Sequence, residues 1–167
     1  MTIDKILQQL RAFGVPLVEV TGGEPLAQKN AFELITRICD EEFEVLIETG
    51  GYVSTEKVDR RAAIILDVKC PASGESERNH WQNLGLLRAE KDEVKFVVAD
   101  FTDLQFARSV IEQYDLENRA KAILISPIFG IEKLPEFAIW VAQSNLKNIR
   151  LNLQIHKYVW GANIHGV

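Results

Sequence analysis

The chain has 167 residues, which suits one domain, spanning 1–167, that can bury a substantial core. Its 19 Lys and Arg against 24 Asp and Glu give a formal net charge of -5, which argues against binding nucleic acid through overall charge. Its apolar runs are too short to cross a bilayer and residues 1–14 lack a signal-peptide core, so we expect a cytoplasmic protein with no membrane contact.

Helix-like and strand-like patterns alternate along the chain. A helix is predicted from an N-cap at Thr2 to a terminator at Gly14. Strand-like runs follow at residues 15–20, 43–48, 62–68, 93–99, 122–126 and 149–155. Between them lie amphipathic helices at 28–41, 102–114, beginning near Thr102 or Asp103, and 132–144, with Pro135 near its start. This alternation predicts an α/β fold with a parallel sheet.

One segment, residues 70–91, breaks the regular alternation. Pro71, Ser73 and Gly74 interrupt the pattern before a short polar and aromatic stretch around Trp81, which predicts a loop with a short helix. Because it follows a strand end, it could close over a ligand, although insertions also vary freely on protein surfaces.

The two cysteines, Cys39 and Cys70, are far apart and neither belongs to a C-x-x-C pair. They predict neither a disulfide framework nor a complete metal site, and we expect both to be buried or half-buried thiols.

A glycine turn follows the first strand. Thr21-Gly22-Gly23-Glu24-Pro25 places one carboxylate just beyond the strand end, where ligands bind in parallel α/β proteins. Gly-Gly followed by Pro is also an ordinary way to turn a chain, so the motif alone leaves both interpretations open.

Polar residues also end the later strands. They are Glu48-Thr49-Gly50-Gly51, Asp67-Val68-Lys69, Lys95 and Ser126-Pro127. In a parallel sheet these ends converge, which predicts a polar rim around a ligand site. Taken singly, Asp67 and Lys69 could form a solvated ion pair, and Ser126-Pro127 could merely stop a strand.

In their order, these motifs resemble the radical S-adenosylmethionine superfamily and, within it, the 7-carboxy-7-deazaguanine synthase family. The glycine turn is shared across the superfamily. The later segments that narrow the resemblance are Asp67-Val68-Lys69-Cys70-Pro71, Val94-Lys95-Phe96-Val97, Ser126-Pro127-Ile128-Phe129-Gly130 and His156-Lys157-Tyr158-Val159-Trp160. The resemblance covers nearly the whole chain from residue 15 onward.

The resemblance implies a (β/α)6 partial barrel and a carbon–nitrogen lyase. Such an enzyme uses a reduced 4Fe-4S cluster, S-adenosylmethionine and Mg2+ to convert 6-carboxy-5,6,7,8-tetrahydropterin into 7-carboxy-7-deazaguanine, a precursor of queuosine in tRNA modification. It also implies an electron donor such as flavodoxin and a homodimer.

The resemblance further implies roles for individual residues. Gly22, Gly23 and Glu24 would meet the amino-acid end of S-adenosylmethionine, and Thr21 would face the pterin. The adenosine or methionine portions would be lined by Glu48, Asp67, Val68, Lys69, Ser126, Pro127, Ile128 and Phe129. His156 and the chain terminus at Val167 would complete the substrate side. His156 also reads as a packed histidine ending an apolar strand.

The chain departs from this family in its cluster loop. The C-x-x-x-C-x-x-C segment does not occur in these 167 residues, and Cys39 and Cys70 cannot replace three closely spaced thiolates. The family's first βα unit and its magnesium-binding threonine are also expected to be missing. We therefore assign no catalytic residue and no metal ligand, and expect an N-terminally truncated domain that is inactive as it stands. A radical activase and a noncatalytic α/β binding module remain the alternatives.

Overall fold

The computed structural model describes residues 1–164. Six parallel strands form one open sheet in the order β1-β2-β3-β4-β5-β6. The strands are β1 Leu17–Val20, β2 Glu44–Thr49, β3 Ala63–Val68, β4 Glu93–Val98, β5 Ala122–Pro127 and β6 Ile149–Leu151. The helices are α1 Ile3–Phe13, α2 Ala31–Asp40, α3 Gln82–Gly85, α4 Phe101–Gln113, α5 Leu116–Arg119, α6 Leu134–Gln143 and α7 Ile155–Trp160. None of the helices in this described range combines the length and apolar character needed to cross a membrane.

The predicted parallel α/β fold is confirmed, including the short helix after β3, but the last strand was predicted too long. β6 pairs with β5 from Ile123↔Ile149 to Ile125↔Leu151 and no further, and residues 155–160 form helix α7. The next same-face position on β5 is Pro127, which has no amide hydrogen to contribute to a ladder. The apolar run therefore leaves the sheet before Ile155.

Two helix starts differ from the predicted caps. Thr2 has extended backbone geometry before α1, but its side chain makes no capping hydrogen bond. Helix α4 is capped by Asp100, whose carboxylate accepts a hydrogen bond from the Asp103 amide at 2.9 Å. Gly14 ends α1 in the left-handed conformation, as predicted.

The two faces of the sheet have different characters. One face packs against the helices through strand residues such as Ile47, Leu66 and Phe96, which are almost fully buried. Side chains of the opposite face, here called the open face, alternate with them and include half-buried Glu48 and Lys95. Charged groups are therefore placed on one face of the sheet, next to the strand ends.

Candidate functional site

The glycine turn adopts a conformation that explains its sequence. Gly22 and Gly23 have φ values of 95° and 57°, in the left-handed region that residues other than glycine rarely occupy. Both glycines and Thr21 are exposed, whereas Glu24 is buried. The Glu24 carboxylate accepts a hydrogen bond from the Leu26 amide at 3.0 Å. The turn thus leaves its backbone open while fixing its one carboxylate.

Glu24 is also tied to the end of β2. The Thr49 hydroxyl donates to the Glu24 carboxylate, lying 2.8 and 2.9 Å from its two oxygens. The Gly51 amide in turn donates to the Thr49 hydroxyl at 3.2 Å. These bonds connect the glycine turn to the next strand end.

Glu24 and Lys69 border a small space at Gly50, and Asp67 is joined to it through Lys69; we call Glu24, Gly50, Asp67 and Lys69 the Gly50 cradle. A Cβ atom on Gly50 would lie 3.4 Å from Glu24 Oε2 and 3.6 Å from Lys69 Cε. Lys69 Nζ donates to Asp67 Oδ2 at 2.6 Å. The other Asp67 oxygen, Oδ1, is buried and has no hydrogen-bond partner among residues 1–164. A buried acceptor of this kind calls for a donor from a bound molecule or water.

A second ion pair lies on the open face. Lys95 on β4 pairs with Glu48 on β2, reaching across the intervening strand β3. Burial raises the pKa of Glu19 on β1, and the nearby Glu48 carboxylate raises it further. Lys95 and Asp67 are register partners on adjacent strands. The open face thus carries a charged group on each of β1 to β4.

The end of β5 is less polar than predicted for a ligand rim. Ser126 and Pro127 are buried, Ile128 is exposed and Phe129 is half-buried. The Phe129 ring contacts Tyr158 of α7 edge-on, with centroids 4.8 Å apart. Val68, at the end of β3, belongs to the apolar core, so it offers a ligand only its backbone.

Of the three substrate-side predictions, Thr21 lies on the glycine turn, and His156 and Val167 belong to the end of the sequence. His156 is exposed on α7, so the interpretation as a packed histidine ending a strand was wrong. Helix α7 follows β6, at the opposite edge of the sheet from β1 and its glycine turn. Val167 lies outside the described residues.

The two cysteines do not fit an iron–sulfur cluster. Cys39 lies within α2 and Cys70 follows β3, and both are buried. Burial raises the pKa of both thiols, and the nearby Asp103 carboxylate raises that of Cys70 further, whereas cluster ligands are thiolates. Residues 1–164 also contain no group of three or more His, Cys, Asp or Glu side chains placed to hold a metal ion.

Two asparagines that organise the rim were not predicted from the sequence. Asn79 bonds to the backbone of Lys69, and Asn83 bonds to the loop after β2. Asparagine commonly bonds to backbone groups in loops, and that general tendency was the only available signal. Lys69 and the loop after Gly50 are thus hydrogen-bonded by side chains that lie outside the predicted motifs.

Proteins named 7-carboxy-7-deazaguanine synthase align with most of this chain. The one from Chlorobaculum tepidum is 40% identical, and the alignment covers 100% of this chain and 76% of the relative. Those from Koribacter versatilis and Clostridium acetobutylicum are 37% and 34% identical, covering 90% and 100% of this chain and 72% and 76% of the relatives. The chain therefore spans about three quarters of the length of these relatives. No protein-family model matches it.

Among solved structures, Streptococcus suis SuiB has a similar fold. Its TM-score is 0.61 at 12% identity, covering 98% of this chain and 46% of SuiB. SuiB bound to S-adenosylmethionine gives a TM-score of 0.59 at 15% identity, covering 90% of this chain and 42% of that one. At such identities the likeness concerns the fold alone.

Proposed function

Because this chain belongs to the 7-carboxy-7-deazaguanine synthase family, we propose that it carries the S-adenosylmethionine- and pterin-binding part of a radical lyase. The reaction converts 6-carboxy-5,6,7,8-tetrahydropterin into 7-carboxy-7-deazaguanine in the queuosine pathway. Bound S-adenosylmethionine supplies the radical chemistry, and the protein's share is to hold both molecules and to exclude water.

The observation that carries this proposal is the buried Oδ1 of Asp67 beside Lys69, which has no hydrogen-bond partner within residues 1–164. S-adenosylmethionine presents an ammonium group, a carboxylate and two ribose hydroxyls. An aspartate oxygen accepts from an ammonium or a hydroxyl, and a lysine ammonium donates to a carboxylate or ribose oxygen. The Gly50 cradle carries both types of group on neighbouring residues, and this supports binding of the polar parts of the cofactor.

The remaining rim residues are assigned to the other parts of the cofactor and to the pterin. The exposed backbone of Gly22 and Gly23, with Glu24, would meet the amino-acid end of the cofactor. The pterin would lie beside Thr21. The family resemblance also assigns His156 and Val167 to the substrate, although the helix of His156 lies at the opposite edge of the sheet from Thr21. The cofactor's other portions would contact the remaining residues of the strand ends, namely Glu48, Val68, Ser126, Pro127, Ile128 and Phe129.

Titration calorimetry with S-adenosylmethionine tests the binding site. We expect the 167-residue chain to bind the cofactor, and Asp67→Ala to weaken binding about tenfold or more because it removes a charge-assisted hydrogen bond. Glu112→Ala is the control, since that carboxylate is exposed and bonds to Arg108 on α4. Equal affinities for the wild type and Asp67→Ala would contradict this site.

Turnover is expected to be absent from this chain as it stands. Incubation of the 167-residue protein with iron, sulfide, a reductant and S-adenosylmethionine should yield no 5′-deoxyadenosine above a protein-free control, because its two cysteines are buried and do not form a cluster site. Chromatographic detection of reductant-dependent 5′-deoxyadenosine would contradict this prediction.

The finer features of the proposal rest on family membership. They include a single domain over residues 1–167 and action in the cytoplasm. They also include a 4Fe-4S cluster and Mg2+, both bound by groups other than those in residues 1–164, and an electron donor such as flavodoxin. The proposed homodimer has one physical support: α7 exposes Ile155, Val159 and Trp160, which is unusual for a short helix without a covering partner.

A noncatalytic binding module is the second candidate. The burial of both cysteines favours it for the 167-residue chain, because buried thiols do not form a cluster site. Both candidates predict cofactor binding and no turnover by the 167-residue chain. They differ in whether a protein that also carries a cluster-binding segment converts the pterin, and product analysis with the pterin distinguishes them. The radical activase alternative has no support among the relatives described above.

A further inference from the structure

The segment between β3 and α3 is fastened to the rim of the sheet by side-chain amides. We call residues 70–85 the rim segment; it contains two 3₁₀ turns and ends with α3. Its anchors reach two neighbouring strand ends. Asn83 contacts the loop that follows β2, and Asn79 contacts the residue that follows β3.

Asn83 is fully satisfied by the loop after β2. Its Oδ1 accepts from the Thr55 amide at 3.0 Å and from the Thr55 hydroxyl at 3.3 Å. Its Nδ2 donates to the carbonyls of Gly51 at 3.2 Å and Val53 at 2.9 Å. These four bonds use the whole capacity of a primary amide. They fix the chain that carries Gly50.

Asn79 makes a pair of bonds to a single residue. The Lys69 amide donates to Asn79 Oδ1, and Asn79 Nδ2 donates to the Lys69 carbonyl, each at 2.9 Å. The β3–β4 register extends only to Val68↔Phe96, one residue before Lys69. The Asn79 side chain therefore supplies the backbone partners that a neighbouring strand supplies earlier in β3.

We propose that Asn79 is a positioning residue: by clamping the Lys69 backbone, it aims the Lys69 ammonium at Asp67 and keeps the Gly50 cradle preorganised for its ligand. The proposal rests on the proposed function for the identity of that ligand. Lysine has a long, freely rotating side chain, and 32% of the Lys69 side chain is exposed. Fixing its backbone removes part of the conformational freedom that ligand binding would otherwise have to restrict.

The opposite side of the rim segment is anchored independently of Asn79. The Asp103 carboxylate accepts from the amides of Ala72 at 3.0 Å and Ala99 at 2.9 Å. With Asn83 holding the other end, removal of the Asn79 amide leaves the segment attached on both sides. An Asn79 substitution therefore tests the Lys69 clamp rather than the presence of the segment.

A double-mutant cycle on S-adenosylmethionine binding tests the proposal. The proteins are the wild type, Asn79→Ala, Lys69→Met and the double variant, all as the full 167-residue chain. We expect Asn79→Ala to weaken binding about fivefold to tenfold, and the double variant to bind no more weakly than Lys69→Met alone, because coupled residues are not additive. Fully additive losses would overturn the proposal, since a general structural role acts without Lys69.

Asn148→Ala is the matched control. Its Nδ2 also donates to a backbone carbonyl, that of Ala120 at 2.6 Å, but beside the start of β5, at the other end of the strands. We expect this variant to bind S-adenosylmethionine with wild-type affinity. A loss equal to that of Asn79→Ala would overturn the proposal by showing that any such clamp has the same effect.

A ligand-free measurement separates this proposal from the proposed function. We expect the NMR shift of the Asp67 side-chain carboxyl carbon to move in Asn79→Ala towards its value in Lys69→Met, and to stay unchanged in Asn148→Ala. If the wild type binds no S-adenosylmethionine, the proposed ligand is wrong, and this carboxyl shift alone decides the positioning role. An Asp67 shift in Asn79→Ala identical to that of the wild type would overturn that role.

Discussion

Replacing Asp92 by alanine is expected to lower the free energy of unfolding by about 4 kcal/mol, since it leaves a mostly buried arginine without its partner. Asp92 is fully buried at the start of β4. Its carboxylate accepts from the Arg88 amide at 2.9 Å, from the Arg88 guanidinium at 2.7 Å through both Nε and Nη2, and from the Ile64 amide at 2.9 Å. Urea unfolding followed by circular dichroism measures the loss.

The same guanidinium gives this experiment its internal check. Arg88 also donates to the carbonyls of Arg60 and Ala62, both at 2.8 Å, so it joins the starts of β3 and β4. Because the two charges depend on each other, the Asp92→Ala/Arg88→Met protein should lose less stability than the sum of the single variants. The exposed Glu112→Ala variant should lose about 0.5 kcal/mol or less. An Asp92→Ala loss no larger than that would contradict the prediction.

Replacing Asn83 by alanine should lower the free energy of unfolding by about 3 kcal/mol. The substitution leaves the Thr55 amide and the Val53 carbonyl without the Asn83 amide, in a region where Asn83 itself is only 1% exposed. The Gly51 carbonyl loses one of its two donors and keeps the His80 amide at 3.0 Å. Buried polar groups that lose their partners account for most of this expected cost. Chemical unfolding monitored by tryptophan fluorescence is a suitable measurement, because Trp81 lies two residues away.

An aspartate at the same position sharpens this test. Asn83→Asp keeps the volume and the acceptor for Thr55 but replaces the two donated hydrogens with a second acceptor facing the Gly51 and Val53 carbonyls. It should therefore be as destabilised as Asn83→Ala. Asn118→Ala, which removes a surface bond to Asp115, should leave stability nearly unchanged. A stable Asn83→Asp protein would show that the loop does not need the two donors.

The strands were predictable because their apolar runs are continuous and are separated by clear turn residues. The residues 62–68 and 93–98 pack in the middle of a sheet, where burial decides their conformation. The final run was mispredicted because an edge strand has one neighbour, and Pro127 limits what that neighbour can pair with. Periodicity within residues 149–155 carries no information about a proline more than twenty residues earlier.

The site was predictable at its strand ends and not in its supports. Glu24, Asp67 and Lys69 follow strands that run parallel, so topology alone predicts that they converge. The hydrogen-bond partners of these residues could not be predicted. Thr49 bonding Glu24, and Asn79 clamping Lys69, depend on the path of connecting segments, which local sequence patterns do not specify.

The strand order has a consequence for how the protein is made. Each strand lies next to the one that precedes it in the chain, so every new βα unit docks on an edge completed just before it. No pairing must wait for a distant part of the polypeptide. During synthesis, β1 to β3 can therefore pair while β4 to β6 are still to emerge from the ribosome. The Lys95–Glu48 ion pair between β4 and β2 can form only after β4 has joined β3.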